Sequence, residues 1–207
     1  MNQTTEPDTQ TLWGNLLEEP LLHYRRVGSG ERIACTLPEL FIAMAHDQVR
    51  DFPALRPHQR HPWHAFLVQL AAIALHRAER TELFATTDEW RAALLALTPN
   101  DPDGAAWCLV SPVDRPAFMQ APVTAWTEAE WETLSTAADE IDVLKASKNH
   151  DLKKRRITNG VNEDWIFALV SLQTQSPSDS GSYAESARVA GGYARRQGIG
   201  IAPPGGM

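Results

Sequence analysis

Residues 145–156 form the most strongly basic stretch of this 207-residue chain. Six of its twelve residues are Lys or Arg, and Asp151 is its single carboxylate. Ser, Asn and His side chains lie between the cations, where they can hydrogen-bond to phosphates, sugars or base edges. Cations that neutralise backbone phosphates supply affinity for nucleic acid of any sequence. The stretch therefore indicates nucleic-acid binding through Lys145, Lys148, Asn149, His150, Lys153, Lys154, Arg155 and Arg156.

The charge of the chain reverses sign at this stretch. Residues 1–144 hold 10 Lys and Arg against 21 Asp and Glu, a net charge of −11, whereas residues 145–207 hold 9 against 5, a net charge of +4. Immediately upstream stand six carboxylates without a cation: Glu128, Glu130, Glu132, Asp139, Glu140 and Asp142. Such asymmetry is typical of a protein with one face toward nucleic acid. Charge alone is equally consistent with a solvated basic face beside an acidic one.

At 207 residues the chain fits one large globular domain or two small ones, and we expect a single domain over residues 1–207. With 43% hydrophobic residues and seven Trp, the chain can bury a sizeable core. Cys35 and Cys108 are too few for a disulfide framework, which favours the reducing cytoplasm. The polar N-terminus lacks the features of a signal peptide, and no apolar run approaches the roughly 20 residues of a membrane span.

Periodicity and turn chemistry predict an α+β fold, mostly helical with a few short strands and hairpins. Residues 23–27 and 32–35 flank Gly28-Ser29-Gly30 as a β-hairpin, and a Thr36/Glu39 capping box begins a helix that runs to about Val49. Residues 51–62 are expected to be an extended loop, because Pro recurs there. The helix of residues 63–79 is apolar over most of its surface, which predicts a central core position.

Further elements are predicted in the rest of the chain. They are a helix over residues 87–97, a buried strand over 107–110, an acidic helix beginning with a Thr127/Glu130 capping box, and a buried helix over 163–172. The last segment is rich in Ile, Phe and Val, so a buried strand is its alternative. Residues 1–11 are expected to be disordered and residues 176–207 to be flexible.

His58, His61 and His64 recur at every third residue and raise the hypothesis of a metal hydrolase. Pro62 is expected to interrupt any helix that they share, and no carboxylate or Cys nearby completes a metal site. Histidines in a proline-rich surface loop are therefore the favoured interpretation. The chain also lacks a P-loop, a G-x-S-x-G nucleophile signature and an H-E-x-x-H helix. We thus expect a protein without catalytic activity, metal or cofactor.

Several segments, taken in order, resemble a known family. Residues 114–120 (DRPAFMQ), 144–153 (LKASKNHDLK) and 165–174 (WIFALVSLQT) are similar to segments of the N-terminal domain of CasA, the large subunit of the type I-E CRISPR surveillance complex Cascade. Residues 36–40 (TLPEL) and 56–70 (RPHQRHPWHAFLVQL) resemble the opening segments of that family. Members of the family are more than twice as long, so the resemblance covers their N-terminal portion and leaves out a helical bundle.

The resemblance implies a non-catalytic role in antiviral defence. The large subunit holds the 5′ handle of the guide RNA and reads a short protospacer-adjacent motif on target double-stranded DNA, while guide pairing reads the sequence. Its partners are the other Cascade subunits and the recruited helicase-nuclease. In the family a loop at the position of Lys148-Asn149-His150 approaches the motif and the handle.

A glycine-rich loop of the family contacts the motif through its backbone, and the matching position here is about Ser178 to Tyr183. The candidate binding residues within it are Gly181, Ser182 and Tyr183. The family's loop has consecutive glycines, whereas this chain has Gly181 among Ser and Asp. Arg188 follows as a further candidate for binding nucleic acid, because it supplies countercharge near small residues. The alternative function is a protein-interaction scaffold without nucleic-acid contact, in which the acidic and basic segments pair with each other or with a partner.

Overall fold

The computed structural model describes residues 12–122, 137–141 and 160–175. These residues form helices and short antiparallel strands, so the predicted α+β class is confirmed for them. The strands are β1 (Trp13–Asn15), β2 (Leu22–Arg26), β3 (Arg32–Cys35), β4 (Val49–Asp51) and β5 (Cys108–Val110). The helices are α1 (Leu37–Ala45), α2 (Arg60–Arg77), α3 (Thr87–Leu95), α4 (Ala138–Ile141) and α5 (Asn162–Gln175), with 3₁₀ turns at Pro57–Gln59 and Ala105–Trp107.

Two small antiparallel sheets support the helices. The predicted hairpin is confirmed as β2 and β3, with Leu22 opposite Cys35, and β4 pairs with the other edge of β2 to give the order β3-β2-β4. In the second sheet β1 pairs with β5. Gly14 of β1 has φ +72°, and a Cβ there would lie 3.2 Å from Leu109 Cβ. Glycine is therefore required for the close approach of these two strands.

The helix starts of α1 and α3 follow from capping boxes. Thr36 accepts a hydrogen bond from the Glu39 amide while Glu39 accepts one from the Thr36 amide, as predicted. The expected end of α1 near Val49 is wrong, because the helix ends at Ala45 and Asp47 takes φ +52°. This left-handed residue turns the chain into β4. The helix predicted over residues 87–97 is confirmed as α3, which is two residues shorter.

Two expectations about α2 are wrong. The helix begins at Arg60 and includes Pro62 in its first turn, where a missing amide hydrogen breaks no helical bond. It is also buried on one stripe rather than all round, since Val68 and Ile73 remain 45% and 43% exposed. The buried residues recur at helical spacing: Trp63, Phe66, Leu67, Leu70 and Ala74. This helix therefore covers the core with one face.

The central core helix is α5. Its helical prediction is confirmed and the alternative strand is excluded. Residues Ile166, Phe167, Ala168, Leu169, Val170 and Ser171 are consecutively buried, so the helix is enclosed on most of its circumference. Trp63 packs against Phe167 with ring centroids 4.9 Å apart, and Phe66 packs against Phe118 at 5.9 Å. None of the helices in the described ranges combines the length and the apolar content needed to cross a membrane.

Replacing Phe66 with Ala should lower the free energy of unfolding by about 3–5 kcal/mol, because it leaves a cavity between two aromatic rings. Val68→Ala on the exposed side of the same helix is the matched control and should change it by less than about 0.5 kcal/mol. Urea unfolding of both variants measures the difference. Equal losses of unfolding free energy in Phe66→Ala and Val68→Ala would contradict the one-sided burial of α2.

Candidate nucleic-acid interface

The side chains predicted to bind nucleic acid all lie outside the described residues. They are Lys145, Lys148, Asn149, His150, Lys153, Lys154, Arg155, Arg156, Gly181, Ser182, Tyr183 and Arg188. The Thr127/Glu130 capping box and the termini expected to be disordered or flexible also fall outside. The described residues nevertheless define the two elements that flank the basic run, because α4 ends at Ile141 and α5 begins at Asn162.

The element before the basic run is held to the fold by charge and by apolar burial. Asp139 of α4 accepts a hydrogen bond from the Arg56 guanidinium, and both side chains are largely buried in this ion pair. Ala138 beside it is 2% exposed, and α4 packs on α5. The acidic segment predicted from the sequence thus contributes at least one carboxylate to an intramolecular contact.

The element after the basic run is anchored by Glu163, a carboxylate that is 1% exposed. Its Oε1 accepts a hydrogen bond from the His23 backbone amide at 2.8 Å. Its Oε2 lies 3.5 Å from Arg32 Nη2, and it lies 3.3 Å from His23 Nδ1 without hydrogen-bond geometry. The start of α5 is therefore tied to the β2–β3 hairpin.

Glu163 is a site residue that sequence reasoning did not single out. Its position in the first turn of a helix predicted only a favourable interaction with the helix dipole. Burial raises the pKa of its carboxyl above the ordinary value, and the His23 amide with the charges of His23 and Arg32 offsets this only in part. The local sequence held no signal for the contact, because His23 is 140 residues away in the chain.

Three segments that support the family resemblance meet in space. Residues 56–70 contribute Phe66, whose ring contacts Phe118 in the segment 114–120. Gln173 of α5 donates a hydrogen bond from Nε2 to the Met119 carbonyl at 2.8 Å. Since α5 also contacts α2 through Phe167 and Trp63, these distant segments form one packed unit.

The histidines considered for a metal site lie at the start of α2. His58 belongs to the 3₁₀ turn, whereas His61 and His64 are exposed in the first two turns of the helix. Pro62 does not separate these two histidines, contrary to the prediction. No group of three His, Cys, Asp or Glu side chains within the described ranges is arranged to hold a metal ion.

The two cysteines are buried thiols. Burial raises the pKa of Cys35 to about 12 and that of Cys108 to about 11. Nucleophilic catalysis by cysteine requires the thiolate, and both side chains remain protonated near neutral pH. Cys35 and Cys108 therefore act here as small core residues.

Comparison of the chain with protein families, with curated proteins and with solved structures gives no match in any of the three.

Replacing Glu163 with Gln should change how stability depends on pH. The pKa of Glu163 is raised in the folded state, so the folded protein favours the protonated carboxyl. The contribution of this carboxyl to the free energy of unfolding is fully present below the ordinary pKa of 4.5, and it is lost as the pH rises through the folded-state pKa. Wild type should therefore lose stability relative to Glu163→Gln between pH 4.5 and neutrality. Urea unfolding at a series of pH values measures both curves.

Asp164→Asn removes one negative charge from the same helix end and serves as the control, because Asp164 is less buried than Glu163. Parallel curves for wild type and Glu163→Gln would contradict the assignment of a raised pKa to this carboxyl.

Proposed function

We propose that the chain is a non-catalytic subunit of a type I-E CRISPR surveillance complex in the cytoplasm. In this role it binds the 5′ handle of the guide RNA and target double-stranded DNA, and it contributes to recognition of the protospacer-adjacent motif. The observation that best supports the proposal is the basic run of residues 145–156, set between two segments of the ordered family resemblance. The family resemblance indicates the complex and its partners, and the positive charge indicates how the segment contacts nucleic acid.

The framework around the basic run suits a binding segment. Residues 142–161 lie between α4 and α5, which pack against each other. Connections between packed helices usually take about 2–8 residues, so these 20 residues exceed what the packing requires. Ion contacts at Asp139 and Glu163 fix both flanking helices to the domain. Fixed ends reduce the conformational entropy that the segment loses when it binds.

Charge also favours nucleic acid over a protein partner for this segment. Six cations with one carboxylate leave at least five positive charges without a partner inside the run. An extended array of Lys and Arg matches the regular spacing of phosphates, and counterion release supplies the binding free energy. Gly181, Ser182, Tyr183 and Arg188 are proposed as a second contact, to the motif itself.

Substituting Lys153, Lys154, Arg155 and Arg156 with Ala should remove most of the salt dependence of duplex binding. If the run makes about four phosphate contacts, the slope of log K against log salt is about −3.6 for the wild type, a loss of about a hundredfold between 50 and 200 mM salt. The quadruple variant should bind with a nearly flat slope. Fluorescence anisotropy with a labelled duplex over this salt range gives the slopes.

A charge-matched control distinguishes direct contact by the basic run from an effect of the overall net charge. Lys153→Ala with Lys154→Ala should change the slope by about 1.8. Arg26→Ala with Arg77→Ala removes the same charge from exposed positions outside the run and should leave the slope unchanged. If both double variants change the salt slope equally, the run is not the contact surface. If the Lys153/Lys154 variant binds the duplex as the wild type does but loses stability or protein binding, the scaffold alternative is supported.

Co-expression with the remaining Cascade subunits and guide RNA tests the assembly itself. The chain should co-purify with the complex and raise its affinity for duplexes that contain an adjacent motif over matched duplexes without one. The Phe66→Ala variant serves as the destabilised control, because it removes the core contact between two family-like segments. A folded wild-type chain that stays outside the complex would refute membership in it.

A further inference from the structure

A groove of about 560 Å³ lies between the edge of the three-stranded sheet and the start of α2. Three elements each place an arginine in its lining: Arg25 on β2, Arg50 on β4 and Arg60 on α2. A volume of this size is within the range of small-molecule sites, about 300–1,000 Å³. The described residues that line it all lie within residues 25–67, apart in sequence from the basic run.

The arginines of the groove share too few carboxylates to be neutralised. Asp51 accepts hydrogen bonds from Arg25 Nε at 2.6 Å and from Nη2 at 3.0 Å, and the same carboxylate lies 3.7 Å from Arg50 Nε. Arg60 has no ion pair within the described ranges and stands at the positive end of the α2 dipole. With Asp47 as the second carboxylate, the described part of the lining carries three arginines against two carboxylates. It therefore favours an anion, in a chain whose net charge is −7.

The floor of the groove is apolar and partly aromatic. Met44, Phe52 and Leu55 line it and are half-buried. Phe52 is held in place by edge contacts with Trp63 at 5.8 Å and Phe167 at 6.4 Å. Trp63 also lines the groove, and its buried indole N–H has no hydrogen-bond acceptor among the residues that the structure describes. An apolar floor beneath unneutralised guanidinium groups suits a ligand that joins an anionic group to a flat apolar body.

We infer that this groove binds one nucleotide unit, with its phosphate at Arg50 and Arg60 and its base over the apolar floor at Phe52. Guanidinium groups match phosphate oxygens in a bidentate fashion, and aromatic side chains receive bases of any type. A free nucleoside monophosphate and a nucleotide within a single strand present the same chemistry. The choice of a nucleic-acid strand as the natural ligand rests on the proposed function. The affinity of the groove for a nucleotide unit does not depend on that function.

Isothermal titration with adenosine 5′-monophosphate at constant ionic strength tests the site, with inorganic phosphate and adenosine as separate probes. The monophosphate should saturate the protein at about millimolar concentration or below, and each fragment alone should bind more weakly. Arg60→Gln should weaken monophosphate binding about tenfold, because one charge-assisted hydrogen bond is lost. Arg60 is exposed, so this variant retains the fold.

Two further variants make the test specific. Arg77→Gln, at the other end of α2 about 25 Å away, removes the same charge and should leave affinity unchanged. Asp47→Asn removes the repelling carboxylate and should tighten binding several-fold. Asn is compatible with the left-handed backbone of Asp47, whose φ is +52°, so the loop is preserved.

The outcomes separate this inference from the proposed function. Equal binding of phosphate and adenosine 5′-monophosphate, or equal effects of Arg60→Gln and Arg77→Gln, would overturn the nucleotide site even if the basic run still binds duplex DNA. Competition by a short single-stranded RNA, lost in Arg60→Gln and retained when Lys153 and Lys154 are replaced by Ala, would identify a strand as the source. Monophosphate binding without such competition would identify a free nucleotide.

Discussion

The packing of α5 against α2 is the interaction on which the remaining structure depends. Phe167 of α5 meets Trp63 of α2, and the burial of these two rings removes a large apolar area from water. The same helix binds the β2–β3 hairpin through Glu163 at its start and the Met119 carbonyl through Gln173 near its end. A single helix thus joins elements that are more than a hundred residues apart in the chain.

This arrangement places a carboxylate in an apolar setting. Glu163 loses its hydration at the start of α5, and the His23 backbone amide with the nearby His23 and Arg32 side chains replaces only part of that water. Such a contact adds little net stability, but removing one partner leaves the others unsatisfied. Its effect is to fix where α5 begins, and therefore where the chain returns from the basic run.

The cations of the described residues differ from those of the basic run in their surroundings. Arg80 pairs with Glu89, Arg91 with Glu18, and Arg115 with Asp101 and Asp103. These pairs are partly exposed to solvent, so each contributes little to stability, and they lower the charge available to ligands. Arg50 and Arg60 at the groove are less completely matched, and the sequence of the basic run offers its cations one carboxylate. Incompletely matched cations are therefore found at the groove and in the sequence of the basic run, despite the acidic balance of the chain.

Features that depend only on neighbouring residues could be predicted from the sequence alone. The hairpin with Gly28 and Gly30 and the capping box of Thr36 and Glu39 both follow from local hydrogen bonding. For residues 163–172 the sequence predicts a helix with a buried strand as the alternative, and the structure excludes the strand. The position and charge of the basic run are likewise properties of the sequence alone. Tertiary structure decided which helix is central, because burial on all sides depends on what packs around a helix rather than on its own composition. It also decided the contact of Glu163 with His23 and the meeting of Arg25, Arg50 and Arg60 at one groove, since no local pattern specifies contacts between distant segments.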